Sequence, residues 1–175
     1  MIAILELENH GVHSFVAVTI PDPARIHAPA NVEAINEAAG ANRIVQLTYP
    51  KQAISIRQPW GWAIMNAGKD VENRTRKLCS PGWYFLHVGS GGDIDEYNAA
   101  VLNFGFPHIR EVPRFDELPR GGVIGAMKLG EWITESPSKW FIGPKAAKIE
   151  AVVALPFQAG RGAQGVFAWD HDRAF

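Results

Sequence analysis

Three charged side chains are spaced so that they could form a single binding or catalytic site. Lys69, Glu72 and Arg74 come one, four and six residues after Gly68, where the pattern predicts the end of a helix. Side chains two apart in an extended segment point to the same face, so Glu72 and Arg74 should lie together, and Lys69 can turn toward them. Because a lysine and an arginine can hold a phosphate, the set predicts a site for an anionic ligand.

Glu72 is the residue of this set whose role is open. Its carboxylate could accept hydrogen bonds from the amine or amide edge of a base. It could also act as a general base on water, with Lys69 stabilising the developing oxyanion. A third interpretation needs no ligand, because the same three residue types also form ordinary surface ion pairs. The spacing alone does not separate these interpretations.

The segment that must position these residues is predicted to be a strand, a helix and a second strand. Residues 54–56 alternate as a short strand, and Pro59 suits the first position of a helix, where its missing N–H costs nothing. Gly68 suits the left-handed conformation that ends a helix, so the chain turns sharply before an extended segment at 71–74. The apolar stripe of the helix, which should face the core, is formed by Trp60, Ile64 and Ala67.

Elsewhere the chain contains short strands with few helices between them. Strands are predicted over residues 2–8, 13–19, 44–48, 83–88, 122–129 and 148–155. Helices are predicted from Asn31, as the N-cap, to Ala39 and from a capping box at 93–96 to Gly105. This pattern favours an α+β fold, a small mixed β-barrel with short flanking helices, over a doubly wound sheet.

The chain is predicted to have two regions. Residues 1–49 form an N-terminal extension, a hairpin plus a short helix, in which no catalytic spacing occurs. This extension is expected to pack on the main domain or to help form an oligomer, and the oligomeric state itself is left open. Residues 50–175 form the main domain, which contains the charged set and a glycine-rich turn at 160–165.

Charge argues against a protein that coats nucleic acid. The 175-residue chain has a net charge of −1, whereas such proteins are usually strongly basic. Residues 51–80 nevertheless carry six basic and two acidic side chains, which suits one anionic ligand or a few phosphates. A solvated charged face is the alternative interpretation of this segment.

Cysteine, histidine and hydropathy patterns limit the other classes. One cysteine, Cys79, cannot form an internal disulfide, and the histidines lack metal-ligand spacing, so neither a metal nor another cofactor is expected. The chain meets Glu6 too early for a signal peptide, and no apolar run reaches the length of a membrane span. We therefore expect a cytoplasmic protein with no membrane partner.

Six further polar side chains are candidates for lining the same cleft. They are Arg57, Gln58, Tyr84, His87, Arg161 and Gln164. Gln58 could recognise a base edge or simply be a polar residue at a helix start. Tyr84 and His87 lie on a strand, where a structural role is the more common one. Arg161 and Gln164 stand among glycines, which permit close backbone approach to a ligand.

Two motifs in this order resemble the signature of the ASCH family, which belongs to the PUA-like superfamily of small β-barrels. The first is Ile54-Ser55-Ile56-Arg57-Gln58-Pro59-Trp60 followed by Gly68-Lys69-Asp70-Val71-Glu72-Asn73-Arg74, and the second is Gly160-Arg161-Gly162-Ala163-Gln164-Gly165-Val166-Phe167. The family motif is Gly-x-Lys-x-x-Glu-x-Arg, or the same with threonine in place of glutamate. Lys69, Glu72 and Arg74 match it, whereas its glycine falls on Ala67, one place before Gly68. The resemblance covers residues 52–169.

The resemblance implies a PUA-like β-barrel with a cleft for RNA or a single modified base. Some members of the family bind RNA, some are ribonucleases and some hydrolyse N4-acetylcytidine. In the amidohydrolase branch the motif carries a lysine, a threonine and a separate glutamate. Glu72 occupies the threonine position here, and a threonine nucleophile cannot sit at a glutamate, so the amidase mechanism does not transfer directly.

Three hypotheses about function follow. In the first, the domain binds RNA, single-stranded nucleic acid or a nucleoside, with Lys69 and Arg74 on phosphate or a polarised carbonyl, Glu72 on an exocyclic amine and an aromatic ring stacked on the base. In the second, Lys69 and Glu72 are the catalytic residues of a hydrolase acting on RNA phosphodiesters or an N4-acylated cytidine. In the third, ligand binding has been lost and residues 1–49 serve assembly.

Overall fold

Nine strands and three helices make up the part of the chain that the computed structural model describes, which is residues 1–25, 27–103 and 112–170. In chain order they are β1 (Ile2–Asn9), β2 (Val12–Thr19), α1 (Pro29–Ala39), β3 (Arg43–Thr48), β4 (Gln52–Ile56), α2 (Trp60–Asn66), β5 (Val71–Arg74), β6 (Gly82–Val88), α3 (Ile94–Asn103), β7 (Gly122–Ile133), β8 (Lys145–Ala159) and β9 (Val166–Ala168). None of the helices in these ranges combines the length and apolar character that crossing a membrane requires.

The main sheet has six strands in the order β5-β8-β7-β6-β4-β9 and is strongly curled into a half-barrel. Its strands pair antiparallel except β4 with β6, which are parallel. The fold is therefore mixed α+β with a half-barrel sheet, which agrees at this level with the fold class predicted from the short strands.

Close approach of β7 and β8 accompanies the curl of the sheet. A Cβ atom on Gly122 would lie 2.4 Å from the backbone oxygen of Gln158, and one on Gly125 would lie 2.8 Å from that of Val153. The register of the two strands also shifts between Val123 and Gly125. Such irregularities bend a strand and increase its twist, so these glycines occur where the sheet must curve.

One face of the main sheet packs against α2. Its buried side chains are Ile54, Ile56, Tyr84, Leu86, Met127, Leu129 and Ala147, which contact Ile64 of α2. Gly61 allows this helix to approach β6, because a Cβ atom there would lie 2.5 Å from Val88 Cγ1. The strand and the helix predicted on either side of residue 57 are thus held against each other by the core.

The opposite face of the sheet packs against the N-terminal sheet, whose order is β2-β1-β3. Ile4 of β1 contacts a cluster that contains Ala53 and Phe85 of the main sheet. The other face of β1 places Leu5 and Leu7 in a separate core with α1. The β2-β1-β3 sheet therefore packs as a layer on the main sheet.

Two local predictions differ from the structure. Asn31 does not cap α1: it lies inside the helix, fully buried, and its side chain hydrogen bonds to backbone atoms of Asp22 and Arg25. An amide has both donors and an acceptor, so it can fix this proline-interrupted segment. Pro59 occupies the N-cap of α2 rather than its first helical position. The helix end predicted at Gly105 lies outside the described residues.

The shared core predicts that the N-terminal layer and the main sheet unfold together. Ile4 is 1% exposed, and replacing it in Ile4→Ala should destabilise the whole chain by about 2–5 kcal/mol. Urea unfolding followed by tryptophan fluorescence and circular dichroism should show one transition, shifted to lower urea. Val12→Ala, at a site 69% exposed, is the control and should change stability by less than about 0.5 kcal/mol. A separate early transition in the Ile4 variant would show that the layers are independent.

Candidate functional site

The carboxylate of Glu72 lies between two cations. Lys69 Nζ is 3.0 Å from Glu72 Oε2, and Arg74 Nε is 3.1 Å from Glu72 Oε1. The Lys69 side chain is 4% exposed and that of Glu72 is 11% exposed, so the pair is shielded from water. The three residues singled out by their spacing therefore meet at one carboxylate.

The turn after α2 accounts for this convergence. Gly68 has a φ of 68°, the left-handed conformation expected at a helix end. The backbone N–H groups of Ala67 and Lys69 both donate to the Ala63 oxygen. These two bonds reverse the chain direction immediately after the helix. Lys69 Nζ then donates to the backbone oxygen of Val71 as well as to Glu72. Lys69 is therefore held in place by two residues of β5, Val71 and Glu72.

Arg74 connects two strands that are far apart in the sheet. Its Nη2 donates to the backbone oxygen of Ser55 at 3.0 Å. β5 and β4, which carry these residues, are separated in the sheet by β8, β7 and β6, so the bond spans the open side of the curl. Arg74 Nε is buried, and its N–H meets no acceptor at hydrogen-bond geometry, so its contact with Glu72 is an ion pair only.

A cleft of about 1020 Å³ opens beside these residues. One wall is the end of β4 with Trp60, and another is β5. The remaining lining is rich in glycine and also includes His87, Arg161 and Gln164. Its lining includes Ser55, Ile56, Arg57, Trp60, Glu72, Asn73, Arg74, His87, Gly89, Ser90, Gly91, Gly121 and residues 160–165.

Six of the nine predicted site residues line this cleft. They are Arg57, Glu72, Arg74, His87, Arg161 and Gln164. Lys69 does not line the cleft; it contacts Glu72, which does. Arg57 and Arg161 are exposed at the cleft, and Arg57 forms an ion pair with Glu96 at 3.0 Å. The cleft therefore has three arginines and one carboxylate, and that carboxylate is paired.

Gln58 and Tyr84 do not line the cleft, contrary to their selection as ligand contacts. Gln58 is 2% exposed; its Nε2 donates to the Pro119 oxygen and its Oε1 accepts from the Trp62 N–H, both at 3.0 Å. The Tyr84 hydroxyl donates to the Ser80 oxygen, and burial raises the pKa of this phenol to about 12. Both side chains serve the structure, because each points to the face that packs on α2 or to the end of that helix.

His87 lies on the opposite face of β6 from Tyr84 and is buried between β4 and the glycine-rich segment. Its Nδ1 is 2.9 Å from Ser55 Oγ, and its Nε2 is 3.0 Å from the Gly160 oxygen. The rings of Phe167 and Trp169 lie 5.5 and 5.7 Å away. Loss of water around the imidazole lowers the pKa of His87, although the Gly160 bond raises it in part.

Trp60 and Ser55 were not chosen as site residues from the sequence. Trp60 was predicted to be a core residue, and it does pack against two clusters, but it also lines the cleft. A helical apolar stripe cannot reveal that a half-buried ring also borders a cleft. Ser55 pairs with His87 across parallel strands, a register that a single sequence does not give.

No protein-family model and no curated protein matches this chain. Within the described ranges, no three His, Cys, Asp or Glu side chains cluster as a metal site would need.

Removing the charge of Glu72 should destabilise the fold, because Glu72→Gln leaves the buried Lys69 ammonium without its counter-charge. The expected loss is about 3–5 kcal/mol in the free energy of unfolding. Glu131→Gln is the matched control: it breaks an exposed pair with Lys148 and should cost no more than about 1 kcal/mol. Urea denaturation measures both variants, and equal losses in the two would contradict a buried network.

The buried imidazole should make stability depend on pH. Its folded-state pKa is below the ordinary 6.5, so the unfolded chain binds the proton more readily. The stability that neutral His87 contributes is complete above that ordinary value and is lost as pH falls below it, by at most about 1.4 kcal/mol per pH unit. Urea unfolding between about pH 7.5 and 5 should show a steeper loss in the native protein than in His87→Gln. Parallel pH profiles would exclude this role.

Proposed function

We propose that the cleft binds single-stranded nucleic acid, preferably RNA, or one nucleotide of it. The observation that carries this proposal is the lining: three arginines and a tryptophan face one glycine-walled space. The arginines can bind phosphate groups, and the tryptophan ring can stack on a base.

The arginines supply the anion site. Arg57 and Arg161 are exposed at the cleft, and Arg74 reaches it from β5. A guanidinium can bind a phosphate with two parallel N–H···O bonds, which fixes its position as well as its charge. The whole chain has a net charge of −1, so binding would be confined to this basic site instead of spreading over the surface.

Trp60 and the glycines supply the base site. A base can stack on an indole ring, a contact worth about 1–3 kcal/mol that tolerates any sequence. Gly89, Gly91 and Gly121 also line the cleft and carry no side chains, so a flat ring can approach the backbone closely there. Glu72 Oε1 and Oε2 each keep a second lone pair for an exocyclic amine.

The size of the cleft favours one or a few nucleotides. Small-molecule sites in proteins usually enclose about 300–1,000 Å³, and this cleft, at about 1020 Å³, is at the top of that range. The resemblance to the ASCH family supports the same ligand class, and the curled sheet is compatible with the PUA-like barrel that the resemblance implies. We propose nucleic-acid binding and membership of the ASCH family together.

Hydrolysis by Lys69 and Glu72 is the weaker candidate. Both oxygens of Glu72 already contact cations, and Lys69 Nζ is engaged by Glu72 and the Val71 oxygen. Lys69 does not line the cleft, so it lacks the position that an oxyanion donor needs.

Binding of labelled RNA tests the proposal. Fluorescence anisotropy should show that single-stranded RNA binds more tightly than duplex RNA of the same sequence. Arg161→Gln should raise Kd about tenfold or more and reduce the salt slope of binding by about 0.7, since one phosphate contact is lost. Arg43→Gln removes the same charge from β3, away from the cleft, and should leave Kd nearly unchanged.

Two results would contradict this assignment. One is RNA binding that the Arg161 and Arg43 variants weaken equally, which would indicate nonspecific attraction. The other is no binding of single-stranded RNA, single-stranded DNA or N4-acetylcytidine by the native protein.

A further inference from the structure

Ser55 and His87 form a hydroxyl–imidazole pair in the wall of the cleft. They are register partners on the adjacent parallel strands β4 and β6, so their side chains project from the same face of the sheet. The distance from Ser55 Oγ to His87 Nδ1 is 2.9 Å, and both residues line the cleft. Neither the proposed anion site nor the proposed base site uses this pair.

The Gly160 oxygen determines the direction of the hydrogen bonds. A carbonyl oxygen can only accept, so His87 Nε2, 3.0 Å away, must carry a proton. In the neutral imidazole Nδ1 is then the acceptor, and Ser55 Oγ donates to it. The serine proton therefore points at a basic nitrogen whose ring is oriented by a third group, which is the arrangement that activates a serine nucleophile.

We propose that Ser55 is a nucleophile and His87 its general base, and that the pair catalyses acyl transfer from esters or amides bound in the cleft. Ser55 Oγ attacks the acyl carbon while its proton passes to His87 Nδ1. The tetrahedral intermediate collapses, and the leaving alcohol or amine takes that proton. Water, deprotonated by His87, then attacks the acyl-serine; the carboxylic acid leaves and Ser55 regains its proton.

The surroundings of the pair fit this chemistry. The guanidinium of Arg74 is hydrogen-bonded to the Ser55 backbone oxygen and lines the cleft, so positive charge lies next to the residue on which the oxyanion intermediate would form. Only a glycine fits at position 162, since a Cβ atom there would lie 2.7 Å from Ser55 Oγ and 2.3 Å from His87 Cε1. The arginines of the cleft favour acyl compounds that also carry an anionic group.

Covalent labelling of the full-length protein tests the inference. The protein is incubated separately with p-nitrophenyl acetate and with an alkyl fluorophosphonate, and modified peptides are identified by mass spectrometry. Both reagents should modify Ser55: fluoride release should match the label, and p-nitrophenol should appear in a burst that matches the acetyl label, followed by turnover. Ser55→Ala should remove that label and the associated burst. His87→Gln, which can keep both hydrogen bonds without a basic nitrogen, should slow labelling about 100-fold or more.

Ser90 provides the matched control. It lines the same cleft and has no imidazole partner in the described part of the chain, so Ser90→Ala should label like the native protein. Circular dichroism and thermal unfolding show whether each variant is folded. Failure of both reagents to modify Ser55 in the native protein, or equal modification of Ser55 and Ser90, would overturn the proposal. Neither reagent contains a nucleotide, so this result is separate from that of RNA binding.

Discussion

The paired carboxylate of Glu72 is the contact on which the geometry of the cleft depends. β5 is only four residues long and hydrogen bonds to the sheet along one side, through β8. On its other side, Glu72 holds Arg74, and Arg74 reaches the Ser55 oxygen of β4. The half-barrel is thus connected across its open side by one guanidinium, whose position is set by one carboxylate.

The network contributes more by positioning charged groups than by stabilising the fold. Burying charges costs free energy that their mutual attraction only partly returns, and an apolar replacement of similar volume is often as stable. An apolar set at these positions could not bring a cation to the Ser55 oxygen or a carboxylate to the cleft. Lys69, which does not line the cleft, is then explained by its effect on Glu72.

Local rules predicted much of this site, and long-range contacts account for what they missed. The period of two placed Glu72 and Arg74 together, and the left-handed glycine predicted the turn that brings Lys69 beneath them. Gln58 was misassigned because its partner, the Pro119 oxygen, is 61 residues away. Sequence spacing does not predict contacts between residues that are so far apart in the chain.

In the fold, too, local sequence patterns predicted some features, whereas others depend on long-range contacts. Alternation predicted most strands, and the predicted N-terminal hairpin turns at His10 and Gly11, which both have a positive φ. The parallel pairing of β4 with β6, and with it the Ser55–His87 pair, follows from sheet order, which alternation does not encode. The same holds for the packing of β1 on the main sheet through Ile4. Membership of the ASCH family stays a prediction.

Hydrogen–deuterium exchange with and without a short single-stranded RNA tests directly whether RNA binds in the cleft, because it locates the ligand on the chain. If the cleft is the binding site, amide exchange should slow in peptides that cover residues 53–60, 69–74 and 160–165. Exchange in residues 12–19 of the N-terminal layer should stay unchanged. Protection confined to that layer, or no protection under saturating RNA, would show that RNA does not bind in the cleft.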